Sequence, residues 1–397
     1  MRRTFVVAPV ATVLAVAGLY ALMLHGYLEL TAWLLVIAVL AMVGAAVWEF
    51  HNGHRKGPVI LLVGAVLTAT VVGAYGWNLN SKLDNIQRAD DTVLDKGTRP
   101  TKVKKEAVNI LLMGADNPNQ RENKPTVAEL LADGEWDPGA YRSDSMMVVH
   151  LPADRKSAYV VSVPRDSYVP IYDGEGIKHG KNKINEAFSQ YGPFGTLRTL
   201  EKLGDLRIDH MAVIDFEGFR DLTTAVGGVD VYVPEAFYDS KQKVEWKQGT
   251  NHLEGVKALQ YVRTRHGLAN GDFDRVDRQQ NFLRALMGKV LADGTIGNPV
   301  KFTDTLEAIT KNLTVDASWK SGDIRSLALS LRNLDSKKVR FMTLPLDHYE
   351  TVPDAGSVNI IAAERARELW DAVETDKVGR YLRANPDDEL PEPKDVS

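Results

Sequence analysis

Val108-Asn109-Ile110-Leu111-Leu112-Met113-Gly114-Ala115-Asp116 is a short apolar run closed by a glycine and a carboxylate. A run of this texture suits a strand covered on both faces, since a half-exposed strand alternates polar with apolar. Met146–Leu151, Tyr159–Val163 and Met211–Ile214 repeat the pattern downstream. Asn185–Tyr191 and Gly195–Leu203 read as helical. So does Phe216–Val226, which Gly227-Gly228 stops before Val229–Val233 returns to strand. Strands alternating with helices predict an α/β fold: a central mixed sheet flanked by helices in three layers.

Upstream, the first eighty residues carry three apolar runs, Phe5–Leu24, Leu30–Trp48 and Pro58–Trp77. Each is close to the ~20 residues that cross the hydrocarbon core as a helix. Arg2 and Arg3 precede the first run, Arg55 and Lys56 lie between the second and third, and the first connection has neither Lys nor Arg. The positive-inside rule then predicts a multi-pass cell-membrane protein with a cytoplasmic N-terminus and everything after Trp77 outside. Residues 1–78 thus read as an anchor of three transmembrane helices and 79–107 as a charged juxtamembrane stalk. Residues 108–292 are the expected α/β domain, with an Asn-, Asp-, Pro- and Gly-rich insertion at 117–140. Residues 293–384 read as an extension packed on that domain, and 385–397 as a disordered polar tail.

The chain has no cysteine, which excludes thiolate catalysis, disulfides and cysteine-held metals. Residues 58–397 hold 44 basic and 50 acidic side chains, a net charge of about −6. A nucleic-acid partner would need a broad basic footprint, so none is expected. Positive charge is local here, and one concentration of arginines lies in Tyr261-Val262-Arg263-Thr264-Arg265 and the Asp272–Gln280 stretch that follows. In an extended segment Arg263 and Arg265 leave the same side of the backbone. Arg275, Arg278 and Gln279 then open an amphipathic helix, with Arg275 and Gln279 one turn apart. Such converging forks suit bidentate contacts to phosphate. Asp272, Asp274 and Asp277 can instead neutralise them as structural ion pairs.

Three further clusters fall at the ends of predicted strands, where open α/β sheets place ligands. They are Gly114-Ala115-Asp116, Arg142-Ser143-Asp144-Ser145 and Pro164-Arg165-Asp166-Ser167. Asp116 and Asp144 are candidate ligands of a hard cation, or ordinary turn residues. Arg165-Asp166 is a clamp or an ion pair. Lys183 can reach a phosphate, beside Asn185 as a helix cap. No Walker loop, nucleophile elbow, His-Glu-x-x-His or dinucleotide fingerprint occurs. The nine histidines are scattered, and most read as surface or capping groups; His266 stands out because it adjoins Arg265, with a surface role favoured over a catalytic one.

In order along the chain these clusters resemble the LytR-CpsA-Psr family of cell-envelope phosphotransferases. The matching stretches are Asn109–Asp116, Arg142–Met147, Ser162–Asp166, Lys183-Ile184-Asn185, Gly227-Gly228-Val229 and Leu259–Arg265 running into Asp272–Gln280. The resemblance implies an enzyme that moves a glycopolymer from a polyprenyl pyrophosphate carrier to a peptidoglycan hydroxyl. It further implies Asp116 and Asp144 as ligands of Mg²⁺ (or Mn²⁺). Arg142, Arg165, Arg263, Arg265, Arg275 and Gln279 would hold the pyrophosphate, with Arg278, Lys183 and Asp272 nearby. Asp166 and Asp272 are the candidates for a base; Val213, Phe216, Phe219 and Leu222 are candidates for the lining of a lipid channel, with core packing the favoured reading of each. A polyprenyl pyrophosphatase and a non-enzymatic membrane-bound regulator, a transcriptional attenuator, are the alternatives.

Overall fold

The computed structural model describes residues 28–53, 56–116, 127–132, 136–264, 272–292, 299–331 and 334–396. They fall into two compact units, one drawn from 1–85 and 293–307, the other from 86–292 and 308–397.

In the first unit, helices α1 (Leu28–His51) and α2 (Lys56–Asp84) bury Met42, Ala46, Leu61 and Ala65 together. Alanines at the contact let two backbones approach closely. Leu40, Val47, Trp48, Leu67 and Trp77 are exposed on the outside of the same helices. Among the described residues no helix is long and apolar enough to cross a membrane, so the expected three transmembrane helices are not found as spans. Helices α1 and α2 do cover the second and third apolar runs, while Phe5–Leu24 lies outside the described residues.

The second unit begins at strand β1 (Gln87–Ala89), then β2 (Val108–Asp116) and the short helix α3 (Val127–Ala132). There follow β3 (Arg142–Leu151), β4 (Ala158–Ser162), the hairpin β5 (Tyr168–Tyr172) and β6 (Lys178–Lys183), and helix α4 (Asn185–Gly204), which is kinked at Gly192. Next come β7 (His210–Asp215), α5 (Phe216–Ala225), β8 (Val229–Val233), β9 (Phe237–Asp239), β10 (Val244–Trp246) and β11 (Gly249–Leu253). Helices α6 (Gly255–Arg263) and α7 (Asp272–Ala292) follow; α8 (Pro299–Asn312), whose residues up to 307 count with the first unit, leads to β12 (Leu313–Asp316) and α9 (Ser321–Ser330). The chain closes through β13 (Val339–Thr343), the hairpin β14 (Leu346–Val352) and β15 (Gly356–Ile361), α10 (Ala363–Glu374) and α11 (Val378–Ala384).

A seven-stranded mixed sheet in the order β1-β12-β7-β2-β3-β4-β13 forms the centre. Strands β2 and β7 are parallel, β3 is antiparallel to β2, and β4 is antiparallel to β3. The ends of β2, β4 and β7 and the start of β3 therefore share one edge, which gathers the three predicted clusters. Period-two alternation divides the sheet's side chains between its faces. Leu111, Met113, Val148, Val161, Met211 and Val213 join a closed core with Phe188 and Leu197 of α4 and Leu369 and Trp370 of α10. The alternate residues Leu112, Met147, Ala212 and Ile214 face a cavity under α5, α6 and α7. Gly227 and Gly228, with φ of 71° and 66°, end α5 as expected. A side chain on Gly228 would also strike the carbonyl of Leu253 at 2.9 Å.

Three expectations are corrected. Residues 86–107 are no free stalk: β1 pairs with β12, and Arg99 forms an ion pair with buried Glu201. The region after 293 is more than an extension, since β12 pairs with β7 and β13 with β4 inside the central sheet. The tail is docked through 396: the Leu390 N–H donates to the Phe341 carbonyl at 2.8 Å, and Glu389 pairs with Arg340. Buried Leu390 and Val396 supply the apolar contacts that a polar composition hid.

Candidate active site at the cavity mouth

Asp116 ends β2, directly opposite Arg142 on β3. One residue earlier the register slips: Gly114 faces Ser145 while Ala115 faces Ser143. Asp144 is the extra residue of this β-bulge, and a bulge re-aims the side chain it carries. Asp144 thereby joins the lining of the cavity, which has a volume of about 240 Å³. Its carboxylate accepts from Arg165 Nη1 at 2.5 Å, while Arg165 Nε lies 3.5 Å from Asp166. Lys183 Nζ lies 3.4 Å from the other oxygen of Asp166. Asp144, Arg165, Asp166 and Lys183 thus form one chain of alternating charge along the sheet edge.

Arg263 closes the other side of the mouth. It is the last residue of helix α6, so the expected extended geometry is replaced by a helical one. That helix forms because Ala258 and Tyr261, three apart, bury against β8, Trp246 and Phe282. The Arg263 guanidinium stacks over the Phe216 ring at 4.4 Å and reaches Asp116 at 3.4 Å. Arg275 and Gln279, one turn apart on α7, both line the cavity, and Gln279 donates to the Val262 carbonyl at 3.2 Å. Arg275 is buried. Arg278 is not brought to the mouth: it lies on another face of α7, over the rings of Phe237 at 4.1 Å and Tyr261 at 5.4 Å. Arg142 shares the sheet edge but is exposed and outside the cavity lining. Arg265 and His266 lie outside the described residues, as does the side chain of Asp272, which opens α7.

Phe216, Phe219 and Leu222 line the cavity, whereas Val213 faces the opposite core. Sequence reasoning passed over Asp215, whose carboxylate caps α5 by accepting from the Gly218 N–H at 2.8 Å, and which also lies at the cavity. Its place just before an amphipathic helix was the available signal. The nearby Asp277 faces a second cavity, lined also by Leu346, His348 and Glu389. Burial, and then the charge of Asp274, push its carboxyl up to about 6.

An apolar cavity with arginines and carboxylates at its mouth is built for an amphiphile with an anionic head. The LytR_cpsA_psr family profile matches residues 75–375. The chain belongs to that family. It is 32% identical to the cell wall biosynthesis protein LcpA of Corynebacterium glutamicum, over 63% of this chain and 52% of LcpA. The chain thus spans about half the length of that relative. It is 29% identical to TagV of Bacillus subtilis, a polyisoprenyl-teichoic acid–peptidoglycan teichoic acid transferase, over 75% of this chain and 74% of TagV. The crystal structure of TagV superposes with a TM-score of 0.55 at 28% identity, covering 69% of this chain and 98% of that one. Family membership and the α/β fold with its mixed sheet therefore stand together.

Proposed function

We propose that this chain transfers a glycopolymer from a polyprenyl pyrophosphate carrier to a hydroxyl of peptidoglycan. The observation that carries this reading is the cavity itself. Leu112, Met147, Phe219 and Leu286 offer an apolar tail its bed, while Arg263 and Arg275 stand where a pyrophosphate head would emerge. The name of TagV as a transferase from a polyisoprenyl carrier supports the same substrate class.

In the proposed step the acceptor oxygen attacks the phosphorus nearest the glycopolymer. A phosphodiester forms, the bond to the lipid phosphate breaks, and the hydroxyl proton leaves. Negative charge builds on the phosphoryl and leaving oxygens, so fixed guanidinium groups of Arg263, Arg275 and Arg165 lower the barrier. Asp166, held between Arg165 and Lys183, is the candidate to receive the proton. Among the described residues no three His, Asp or Glu side chains gather to hold a metal alone. Asp116 and Asp144, two hard oxygen donors on adjacent strands, suit Mg²⁺ or Mn²⁺ sharing its shell with substrate phosphate. Bound there, the ion would neutralise pyrophosphate charge.

The test uses the full chain, a lipid pyrophosphate-linked glycopolymer and peptidoglycan. Glycopolymer-bearing peptidoglycan is the expected product; a chelator should stop its formation and Mg²⁺ restore it. Arg263→Lys keeps the charge but loses the planar fork stacked on Phe216. Its turnover should fall at least ~10-fold, equivalent to ~1.4 kcal/mol, with an unchanged circular dichroism spectrum. Undiminished turnover would return Arg263 to a structural ion pair with Asp116. Free phosphorylated glycan formed in the presence of acceptor would replace transfer with hydrolysis.

We place the first unit in the cell membrane, N-terminus inside and the catalytic unit outside. The exposed Leu40, Trp48, Leu67 and Trp77 support this, because water is a poor solvent for such a surface. A reporter active only in the cytoplasm, fused after Ser397, should be silent; activity there would overturn the topology.

A further inference from the structure

The β5–β6 hairpin leaves the candidate site at Asp166 and returns to it at Lys183. Its inner face is apolar: Val169 and Ile171 are buried in the main core. The outer face holds Tyr168, Pro170 and Tyr172, which are half-buried. Their partners across the ladder are Lys183, Lys181 and Lys178. From Pro170 to Tyr172 is two residues, but from Lys181 back to Lys178 is three, so β6 contains a bulge. Gly180, with a φ of 96°, makes the bulge possible. Residues opposite one another in an antiparallel pair share a face. The bulge therefore brings three lysines into one row, where simple alternation would have sent Lys178 to the other side.

Measured along the facing β5, from Tyr168 to Tyr172, the row spans roughly 13 Å at the rise of a β-strand. Lys183, nearest the site, is balanced by Asp166 at 3.4 Å. Lys181 sits over the Tyr168 ring at 5.3 Å, an arrangement that fixes the ammonium without cancelling its charge. Among the described residues neither Lys178 nor Lys181 has a carboxylate within ion-pair distance. The hairpin's own acids are engaged elsewhere. Asp173 accepts from the N–H groups of Glu175 and Ile177 and from His179, and Glu175 pairs with Lys96.

We propose that this face is a subsite for an anionic polymer chain, the glycopolymer of the donor as it leaves the pyrophosphate site. The inference rests on the transfer reading above and adds the polymer's charge and its path. A single small anion needs clustered cations. A neutral glycan gains nothing from ammonium groups kept free of carboxylates. A linear polyanion gains from both the row and its direction, which ends at Lys183 and Arg165.

The test compares the full chain with K178Q/K181Q, both in phosphatidylcholine nanodiscs, by affinity for a lipid-free oligo(glycerol phosphate). The double variant should bind about tenfold more weakly, the scale of two charged contacts near water, and K178R/K181R should bind as wild type. Added salt should weaken the wild type toward the variant. Transfer from a polyprenyl pyrophosphate bearing one neutral sugar should be unchanged in all three proteins. Equal oligomer affinity in wild type and K178Q/K181Q overturns the subsite, as does wild-type binding of neutral dextran as tight as that of the oligomer. Loss of binding to phosphatidylglycerol nanodiscs with oligomer affinity intact also overturns it, in favour of a membrane contact. If wild type transfers neither this donor nor the glycopolymer-bearing one while oligomer affinity still falls in the variant, the transfer reading fails and the subsite stands.

Discussion

The two ends of the central sheet hold similar chemistry put to opposite uses. At the end away from the cavity, Asn109 is buried and every polar group of its side chain is engaged. Its Nδ2 donates to the Arg207 carbonyl at 2.8 Å, and its Oδ1 lies 2.7 Å from His150 Nδ1. The Asn109 N–H donates to Asp209 at 2.8 Å, and Lys102 completes the group by pairing with that carboxylate. At the cavity end, by contrast, charged groups meet at the rim of an apolar space, and two lysines of the adjoining hairpin keep their charge uncancelled. A closed polar network fixes one structure; a row of charges beside a cavity can only be completed by something else.

The comparison breaks most readily at its closed end. Asn109→Ala leaves the His150 ring and the Arg207 carbonyl without their partner in a buried place. Each unsatisfied buried group costs ~1–3 kcal/mol, so unfolding free energy in urea should drop by ~3 kcal/mol. Transfer per folded molecule should stay at the wild-type level. A large fall in turnover would show that the two ends act as one unit, and the division between structure and function would have to be redrawn.

What could be read from the chain follows the same division. Strands β2, β3, β4 and β7 were legible because their apolar runs bury on both faces, and β8 because buried Val229, Val231 and Val233 alternate with exposed Asp230 and Tyr232. Strands β1 and β12 were not: Gln87-Arg88-Ala89 and Leu313-Thr314-Val315-Asp316 are short, and only pairing with their neighbours holds them extended. Asp116, Arg165 and Arg275 were visible as residue types at strand and helix ends. The aim of Asp144 and the alignment of Lys178 with Lys181 were not, since both depend on a bulge, a property of two strands rather than one. His150 was not singled out in the sequence, yet it is buried, with Asn109 opposite it in the ladder. Arg263 was assigned to an extended segment because spacing alone cannot register that Ala258 and Tyr261 bury on one helical face.

Asp277 sharpens the comparison with the smallest expected effect. It sits on the helix that supplies Arg275 and Gln279, yet faces the second cavity, where burial and Asp274 oppose its ionisation. Its folded carboxyl titrates at about 6 against 3.8 for an ordinary one. The protonated form therefore favours the fold fully below pH 3.8, and that contribution disappears as pH rises through 6. Above pH 6 the wild type carries an ionised carboxylate at a cost in stability. Asp277→Asn removes the charge at every pH. It should be more stable than wild type by about 1 kcal/mol at neutral pH, after allowance for solvent screening. The gap should narrow as pH falls through 6 and vanish once Asp277 is protonated in both folded and unfolded chains. Denaturation curves across that range decide the matter: a gap that widens toward acid would mean that Asp277 is stabilised as an anion, and that the active-site helix is as closed electrostatically as the far end of the sheet.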